Sequence, residues 1–285
     1  LSMWLETLAA DQPLAFLDHH VKPGNSLVGS DITEVLSDDG PGDNDGQITL
    51  TQAFARVRQD TLEHVMDLMA DLLAYDNETL DEIKSMESLY DEIRDDPLYT
   101  RLFELANVHT AAEFGVDVPE DAYEQMAGAI ESEDDWAAIR EKDWFKSAQA
   151  TANEQDFFHW ELEFPEVFFD AEGEKMAEAG FDAVVGNPPY VFIDSIPEIL
   201  REYLKNTSST WDYRYDLYGS FTEFGHNITR KKGTFGYIIP HSILNNNSFK
   251  NLRQYIVGQS ESIDIIDFTS SVFKDASNEP MILLS

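Results

Sequence analysis

The chain has 285 residues and carries 55 Asp and Glu against 19 Lys and Arg, a formal net charge of −36. It contains no cysteine, which excludes disulfides, thiolate zinc sites and a cysteine nucleophile. With 42% hydrophobic residues and no apolar run of about 18 residues, the composition predicts a globular cytoplasmic protein with no membrane partner.

The acidic residues are unevenly distributed. Residues 1–186 hold 44 Asp and Glu and 10 Lys and Arg, whereas residues 187–285 hold 11 and 9. An acid-rich, lysine-poor surface is typical of adaptation to high salt, because carboxylates retain water and cations where the Debye length shrinks to about 3 Å at 1 M. Our hypothesis is a halophilic, haloarchaeal source; an acidic partner-binding segment is the alternative.

The first 47 residues contain two turn-like segments. Gly24-Asn25-Ser26-Leu27 has the composition of a turn between two elements, and residues 31–47 form an acidic, Gly-rich linker. His19 and His20 are adjacent, so on an extended segment their side chains would point to opposite faces. We therefore predict no metal site.

A helical block is predicted for residues 48–153. Apolar residues at spacings of three and four follow Thr49 and Thr51, which are N-cap candidates. A capping box at 79–82 begins a second helix, and Pro97 begins a third that ends near Gly115. Two more are expected over 119–130 and 134–150. Their apolar stripes predict a core, with solvated acidic faces.

Two strands are predicted next. Trp160, Leu162 and Phe164 alternate with Glu161 and Glu163, as in a strand with one exposed face. Residues 181–186 form a short apolar run that ends in Gly, which is typical of a buried strand opening into a loop.

The loop after that strand reads Asn187-Pro188-Pro189-Tyr190 and supplies the strongest chemical signal. Two prolines stiffen the backbone, so carbonyl oxygens and the Asn187 amide oxygen can be presented together. Two acceptors on an exocyclic aromatic amine favour a localised lone pair, and the Tyr190 ring can hold a base by stacking. The alternative is a proline-stiffened turn with a buried tyrosine.

The rest of the chain predicts helix, strand, helix, strand and strand, the alternation of a doubly wound α/β sheet. Asp216-Leu217-Tyr218 begins a helix expected to end at Arg230-Lys231-Lys232, and residues 234–240 form a strand. A helix over 245–257 and strands over 262–268 and 281–284 follow. The candidates for phosphate contacts are Arg230, Lys231, Lys232, Lys250 and Arg253.

At these residues the chain resembles the adenine-N6 DNA methyltransferases of restriction-modification and phage-defence systems. The resemblance lies in the Asn-Pro-Pro-Tyr motif, the His159-Trp160 string with its Phe-Pro-Glu-Val-Phe ending, and the Asp-Leu-Tyr helix start. It implies a Rossmann-like methyltransferase sheet with an acidic all-helical insertion. It also implies S-adenosylmethionine as donor and a flipped adenine in double-stranded DNA as acceptor.

The resemblance further implies how the chain is divided. Residues 1–30 would begin a partial methyltransferase domain in which Asn25, with Ser26 and Leu27, contacts the adenine of the donor. Residues 31–47 would be a linker, 48–153 the insertion and 154–285 the catalytic part. The expected catalytic residues are Asn187, Pro188, Pro189 and Tyr190.

A Gly-rich turn before a helix, which a donor site of this class needs, is not found in the sequence. We therefore expect a partial domain, with another polypeptide supplying that segment and target recognition. Two rivals stay open: an N-methyltransferase acting on RNA or a protein glutamine, and a catalytically incomplete DNA-binding or assembly fragment.

Overall fold

The computed structural model describes residues 16–35, 45–76, 79–212, 215–268 and 280–285, with the backbone alone for residues 45–53. The chain divides into two compact units, Leu1–Met176 and Ala177–Ser285. The predicted domain boundaries at residues 30, 47 and 153 stay predictions, and residues 1–15 and 36–44 lie outside the described ranges. No helix within those ranges has the length and apolar character needed to span a bilayer.

The first unit is built from helices. These are α1 (Asp45–Leu73), α2 (Leu80–Asp95), α3 (Pro97–Glu113), α4 (Ala122–Ala129), α5 (Glu133–Arg140), α6 (Asp143–Glu154), α7 (Trp160–Glu163) and α8 (Pro165–Phe168). The single helix predicted over 134–150 is instead two, α5 and α6. The helix breaks because Lys142 takes an extended conformation, with ψ of 139°.

The predicted start signals of two helices are confirmed. Thr79 caps α2 through a reciprocal capping box with Glu82. Pro97 occupies the first turn of α3, and the Asp96 carboxylate accepts a hydrogen bond from the Tyr99 N–H at 2.7 Å. The helix ends at Glu113, two residues before Gly115, whose φ of 83° suits a residue without Cβ.

Residues at both ends of the segment predicted as a linker depart from the solvated loop expected there. Ile32 and Val35 are fully buried, so residues 31–35 belong to the core rather than to a solvated loop. At the other end α1 already begins at Asp45, which places Thr49 and Thr51 inside the helix instead of at its N-cap. The Gly-rich, acidic composition of the segment predicts a loop and gives no weight to the apolar residues Ile32 and Val35, whose spacing suits packing.

The strand predicted over Trp160–Phe164 is also wrong, because this segment forms the helical turns α7 and α8. Glu161, expected in solvent, is fully buried. Its carboxylate accepts a hydrogen bond from the Thr33 N–H at 3.1 Å and pairs with the Lys175 ammonium at 2.6 Å. Because these partners compensate for the burial of the carboxylate, Glu161 does not need to face solvent. The strand prediction depended on a solvent-facing Glu161 and therefore fails.

The second unit is a mixed four-stranded sheet with helices. Its elements are β1 (Phe181–Gly186), α9 (Glu198–Thr207), α10 (Leu217–Asn227), β2 (Thr229–Pro240), α11 (Ser242–Asn245), α12 (Lys250–Gln259), β3 (Asp264–Asp267) and β4 (Pro280–Leu284). The strand order is β1-β2-β4-β3, with β1 parallel to β2 and β4 antiparallel to both its neighbours. The predicted alternation of helices and strands is confirmed.

One face of this sheet carries the core. Phe235, Tyr237 and Ile239 alternate along β2 and are buried with Phe249 and Leu252 from the α12 region. The helix predicted over 245–257 begins later, at Lys250, after α11 and a short 3₁₀ turn over Asn247–Phe249. Phe249 and Leu252 are fully buried.

The basic run Arg230–Lys232 lies on β2 and not at the end of a helix, so that prediction is wrong. Helix α10 ends at Asn227, and β2 begins two residues later. The register between β1 and β2 shifts between Phe181 and Ala183, and Lys232 takes a positive φ of 67°. The irregularity is a bulge: β2 has more residues than β1 between the two neighbouring pairs, and the basic residues are among these additional residues.

Candidate functional site

The Asn-Pro-Pro-Tyr loop leaves the sheet at the carboxyl end of β1. There Gly186 pairs with Tyr237 on β2, and a Cβ on Gly186 would lie 2.9 Å from the Tyr237 ring. Only glycine allows this close approach without displacing the ring. Immediately beyond it Asn187 is exposed and Pro188 is buried, so the amide side chain faces solvent from an anchored backbone.

Tyr190 is held in one orientation by two contacts. Its hydroxyl donates a hydrogen bond to the Ile238 carbonyl at 3.2 Å. Its ring lies edge-on to Tyr218, with centroids 6.1 Å apart and planes at 69°. Burial raises the pKa of Tyr190, so the phenol stays neutral at physiological pH. The half-buried ring is therefore a fixed aromatic surface beside Asn187.

The carboxyl ends of parallel strands meet at one edge of a sheet, and ligands of open α/β sheets bind outside this edge. The motif follows β1, and the segment from His241 to Phe249 follows β2 at the same edge. Tyr218 joins the two regions, because its hydroxyl lies 3.0 Å from the Ser242 Oγ. These groups therefore lie at the sheet edge where ligands of open α/β sheets bind.

The basic residues predicted to contact phosphate do not lie together. Arg230 forms an ion pair with Asp182. Lys231 and Lys232 are exposed near the amino end of β2. Lys232 lies in the irregular part of β2 between the Phe181–Thr229 and Ala183–Thr234 pairs, three to five residues or about 10 to 16 Å along the sheet from Gly186.

The Arg253 side chain makes hydrogen bonds within the protein as well. One of its guanidinium nitrogens donates to the Ile243 carbonyl at 2.6 Å and to the Asn246 carbonyl at 2.8 Å. Lys250 is exposed at the start of α12, after the carboxyl end of β2. Of the five predicted residues, Lys250 is the exposed cation at the motif's end of the sheet.

The Asn25 segment lies in the first unit, at a cavity of about 640 Å³. The lining residues are Pro23, Gly24, Asn25, Ala152, Asn153, Glu154, Gln155, Asp156 and Phe157. The Asn25 Oδ1 accepts a hydrogen bond from the Leu27 N–H at 3.3 Å, which orients its amide. The Leu27 side chain is only 7% exposed and packs in the core, so it does not line the cavity.

The His-Trp string, to which the sequence assigned no chemical role, holds this segment in place. The His159 Nδ1 accepts a hydrogen bond from the Ser30 N–H at 3.0 Å, and the Trp160 Nε1 donates to the Ser26 carbonyl at 3.0 Å. The Phe158 N–H donates to the Val28 carbonyl at 2.7 Å. These three hydrogen bonds show that the string fixes the backbone of residues 26–30.

His159 itself is buried and neutral. Its Nε2 lies 2.8 Å from the Asn107 Oδ1, so Nε2 carries the proton while Nδ1 accepts from Ser30. Burial lowers the pKa of His159 to about 4. With both ring nitrogens engaged, this histidine is not a free base.

The charge of the cavity limits what it can bind. Glu154 and Asp156 line it, and none of the described residues that line it is Lys or Arg. Helix α6 ends at Glu154, so carbonyl groups of the helix C-terminus lie nearby. A helix C-terminus carries partial negative charge. Asn25, Asn153 and Gln155 add amide donors and acceptors. The cavity favours a neutral or cationic polar ligand over a phosphate-bearing one.

The reason given for excluding a metal at His19 and His20 is wrong. The two residues lie in a turn, and their ring centroids are 3.8 Å apart instead of on opposite faces. Burial, followed by the neighbouring His20 and Lys22, lowers the pKa of His19 to about 4. Within the described ranges no group of three or more His, Asp or Glu side chains is arranged to hold a metal ion.

Residues with structural roles around the motif were missed from sequence. Glu223 on α10 is 5% exposed, and its carboxylate accepts hydrogen bonds from the Ser209 N–H at 2.8 Å and the Thr210 hydroxyl at 2.7 Å. Asp216 accepts one from the Ile193 N–H at 3.1 Å. The only sequence signal for either residue was the Asp-Leu-Tyr string, which carried no stated function.

The chain matches a known protein family over most of its length. Residues 42–273 match the model described as "Eco57I restriction-modification methylase", which is most of the chain. The chain therefore belongs to the Eco57I restriction-modification methylase family. This membership confirms the resemblance to restriction-modification methylases and agrees with S-adenosylmethionine as the expected methyl donor.

Individual relatives match shorter segments. The chain is 33% identical over 89 residues to the Type II methyltransferase M.TthHB8I of Thermus thermophilus, covering 29% of this chain and 21% of that protein. It is 35% identical over 88 residues to the Type II methyltransferase M.BstVI of Geobacillus stearothermophilus, covering 30% and 16%. It is 30% identical over 108 residues to the Type II restriction enzyme and methyltransferase RM.Eco57I of Escherichia coli, covering 36% and 11%.

The matched segments thus span about a fifth or less of these relatives' own length. Among solved structures, a class I S-adenosylmethionine-dependent methyltransferase from Listeria monocytogenes matches over 83% of this chain and 87% of that chain. The identity is 15% and the TM-score 0.30, too low to carry an argument.

Proposed function

We propose that the chain supplies the target-amine pocket of a site-specific DNA methyltransferase that methylates N6 of adenine. The observation that carries the proposal is the Asn187–Tyr190 loop at the carboxyl end of β1, with an exposed amide beside a fixed aromatic ring. Family membership supports methyl transfer, and the choice of adenine is the step that goes beyond it.

The geometry suits an exocyclic aromatic amine. A base turned out of the duplex, at a cost of about a few kcal/mol, would stack on Tyr190. The Asn187 Oδ1 and the Pro188 carbonyl would each accept one N6–H. With both N–H bonds engaged, the nitrogen lone pair is directed away from the ring plane and becomes nucleophilic.

S-adenosylmethionine, when bound, supplies an electrophilic methyl group on a sulfonium. The amine nitrogen forms the new N–C bond as the S–C bond breaks, and the nitrogen then loses one proton to water. The chain's own contribution is positioning, because neither Asn187 nor Tyr190 needs to act as a base.

We assign the adenosine part of the donor to the cavity at Asn25. The donor set fits, because the amide of Asn25 can pair with a purine edge and the carboxylates of Glu154 and Asp156 can accept ribose hydroxyls. The local negative charge also favours a cationic sulfonium over a nucleotide with phosphates.

The test is transfer of labelled methyl groups to duplex DNA in molar KCl, followed by nucleoside analysis by mass spectrometry. Asn187→Ala should abolish N6-methyladenine while leaving the circular dichroism unchanged, because Asn187 is exposed. Asn251→Ala, an equally polar and exposed change on α12, is the matched control. Label recovered in cytosine, or transferred to RNA or a protein glutamine when these replace duplex DNA in the assay, would overturn the adenine assignment.

A second candidate is a DNA-binding or assembly polypeptide that needs a partner for donor binding and target recognition. The observation that favours it is that the sequence contains no Gly-rich turn followed directly by a helix, which a donor site of this class needs. Calorimetry with S-adenosylhomocysteine separates the two candidates. Binding that Asn25→Ala weakens supports the donor cavity, whereas no binding by a folded chain supports the second candidate.

A further inference from the structure

The segment that follows the catalytic motif is tied to the start of α10. The Val191 carbonyl accepts a hydrogen bond from the Leu217 N–H at 3.0 Å, and the Ile193 N–H donates to the Asp216 Oδ1 at 3.1 Å. Between these anchors Phe192 is 59% exposed, so packing alone holds the segment weakly. These two bonds therefore fix the direction in which the chain leaves Tyr190.

Asp216 occupies an unusual position for this task. It is the N-cap residue of α10, with φ of −74° and ψ of 154°, yet its side chain makes no capping hydrogen bond to its own helix. An Asp at an N-cap normally stabilises its helix by about 1 kcal/mol through that bond. Here the carboxylate reaches instead to the segment after the motif.

Tyr218, two residues further, completes the connection. Its ring contacts Tyr190 edge-on and packs on Phe249 at 5.0 Å, and its hydroxyl lies 3.0 Å from the Ser242 Oγ. The start of α10 thus contacts both the ring of Tyr190 and the backbone that follows it. A shift of this helix start would move both together.

We propose that Asp216 is a positioning residue for the target base, acting through the Val191–Ile193 backbone on the placement of Tyr190 and the Pro188 carbonyl. The inference rests on the proposed function, since it assigns the motif to base binding. The positioning role requires a side-chain oxygen at residue 216 that accepts the hydrogen bond from the Ile193 N–H, and it does not require that this side chain be charged.

Asp216→Ala and Asp216→Asn test this requirement, because asparagine keeps an oxygen acceptor and alanine does not. With Asp216→Ala we expect the turnover number for DNA methylation to fall about tenfold to a hundredfold, the range that a misplacement of about 1 Å causes, with KM for DNA nearly unchanged. Asp216→Asn should stay within about threefold of the wild type, the scale of a neutral-for-charged hydrogen-bond change.

Asp194→Ala is the matched control, since Asp194 is an exposed carboxylate in the short 3₁₀ turn Ile193–Ser195, which begins at the Ile193 amide. It should behave like the wild type in every measurement. Equal turnover numbers for Asp216→Ala and the wild type would overturn the proposal.

Two measurements without substrate separate this inference from the proposed function. Hydrogen exchange at the Ile193 amide should accelerate in Asp216→Ala and stay slow in Asp216→Asn. A fluorotyrosine label at Tyr190 should show a shifted or broadened ¹⁹F resonance in Asp216→Ala alone. If the wild type methylates nothing, the proposed function fails; if exchange and resonance are unchanged in Asp216→Ala, the positioning role fails by itself.

Discussion

His159 should make the first unit sensitive to acid. In the unfolded chain its ring takes up a proton near pH 6.5, whereas burial keeps it neutral in the folded chain until the pKa of about 4. The unfolded state therefore binds more protons as pH falls below 6.5, and acid favours unfolding. The stability that the neutral ring contributes is present above pH 6.5 and is lost as pH falls toward 4.

The magnitude follows from the shift. At about 1.4 kcal/mol per pKa unit, lowering the pH from about 7.5 to about 4.5 should remove about 2.5 kcal/mol of unfolding free energy through this residue. His159→Gln removes the titration but can keep both hydrogen bonds, from the Ser30 N–H and to Asn107. Between the same two pH values, the unfolding free energy of His159→Gln should therefore fall by about 2.5 kcal/mol less than that of the wild type.

Urea unfolding in molar KCl, followed by far-ultraviolet circular dichroism, measures the difference. The helical first unit dominates this signal. His64→Gln, an exposed change on α1, is the control and should follow the wild type. If wild type and His159→Gln lose the same free energy between the two pH values, the buried neutral histidine is not the source of acid sensitivity and the reasoning fails.

Three further outcomes are expected. Gly186→Ala places a Cβ 2.9 Å from the Tyr237 ring and should cost about 1–3 kcal/mol of stability in urea unfolding, whereas an unchanged midpoint would contradict the packing argument. Glu223→Ala leaves the Ser209 and Thr210 donors without their acceptor and should cost about 2–4 kcal/mol, with Glu202→Ala on the exposed face of α9 as the neutral comparison. The unfolding free energy should rise between about 0.1 M and 2 M KCl, because screening shortens the Debye length from about 10 Å to below 3 Å; independence from salt would refute the halophilic interpretation.

Local signals in the sequence determined much of the fold. The capping box at Thr79, the first-turn Pro97 and the apolar run ending in Gly186 specify helix and strand boundaries from neighbouring residues alone, and the structure confirms these boundaries. The burial predicted for the strand over 181–186 is wrong, because several of its residues are exposed and Val185 is 78% exposed. The strand predicted over 234–240 exists and its alternate residues are buried, but it begins five residues earlier than predicted, at Thr229. The chemical motif also needed no tertiary information, because its four residues are contiguous.

Only the tertiary structure decided the elements whose polar residues find distant partners. Glu161 reads as a solvent-facing residue until Thr33 and Lys175 are brought to it, and the segment around it then becomes helical rather than extended. A linear pattern records the polarity of a side chain but not the partner that compensates for its burial.

The candidate site shows the same division. Asn187 and Tyr190 could be assigned from sequence, but the contacts that orient the ring come from Ile238 and Tyr218, far along the chain. The five basic residues were equivalent in the sequence until the sheet placed them at opposite ends. Sequence determined which groups are available for chemistry, and the fold alone decided which of them meet, because hydrogen bonds and ring contacts depend on distances that the order of residues does not encode.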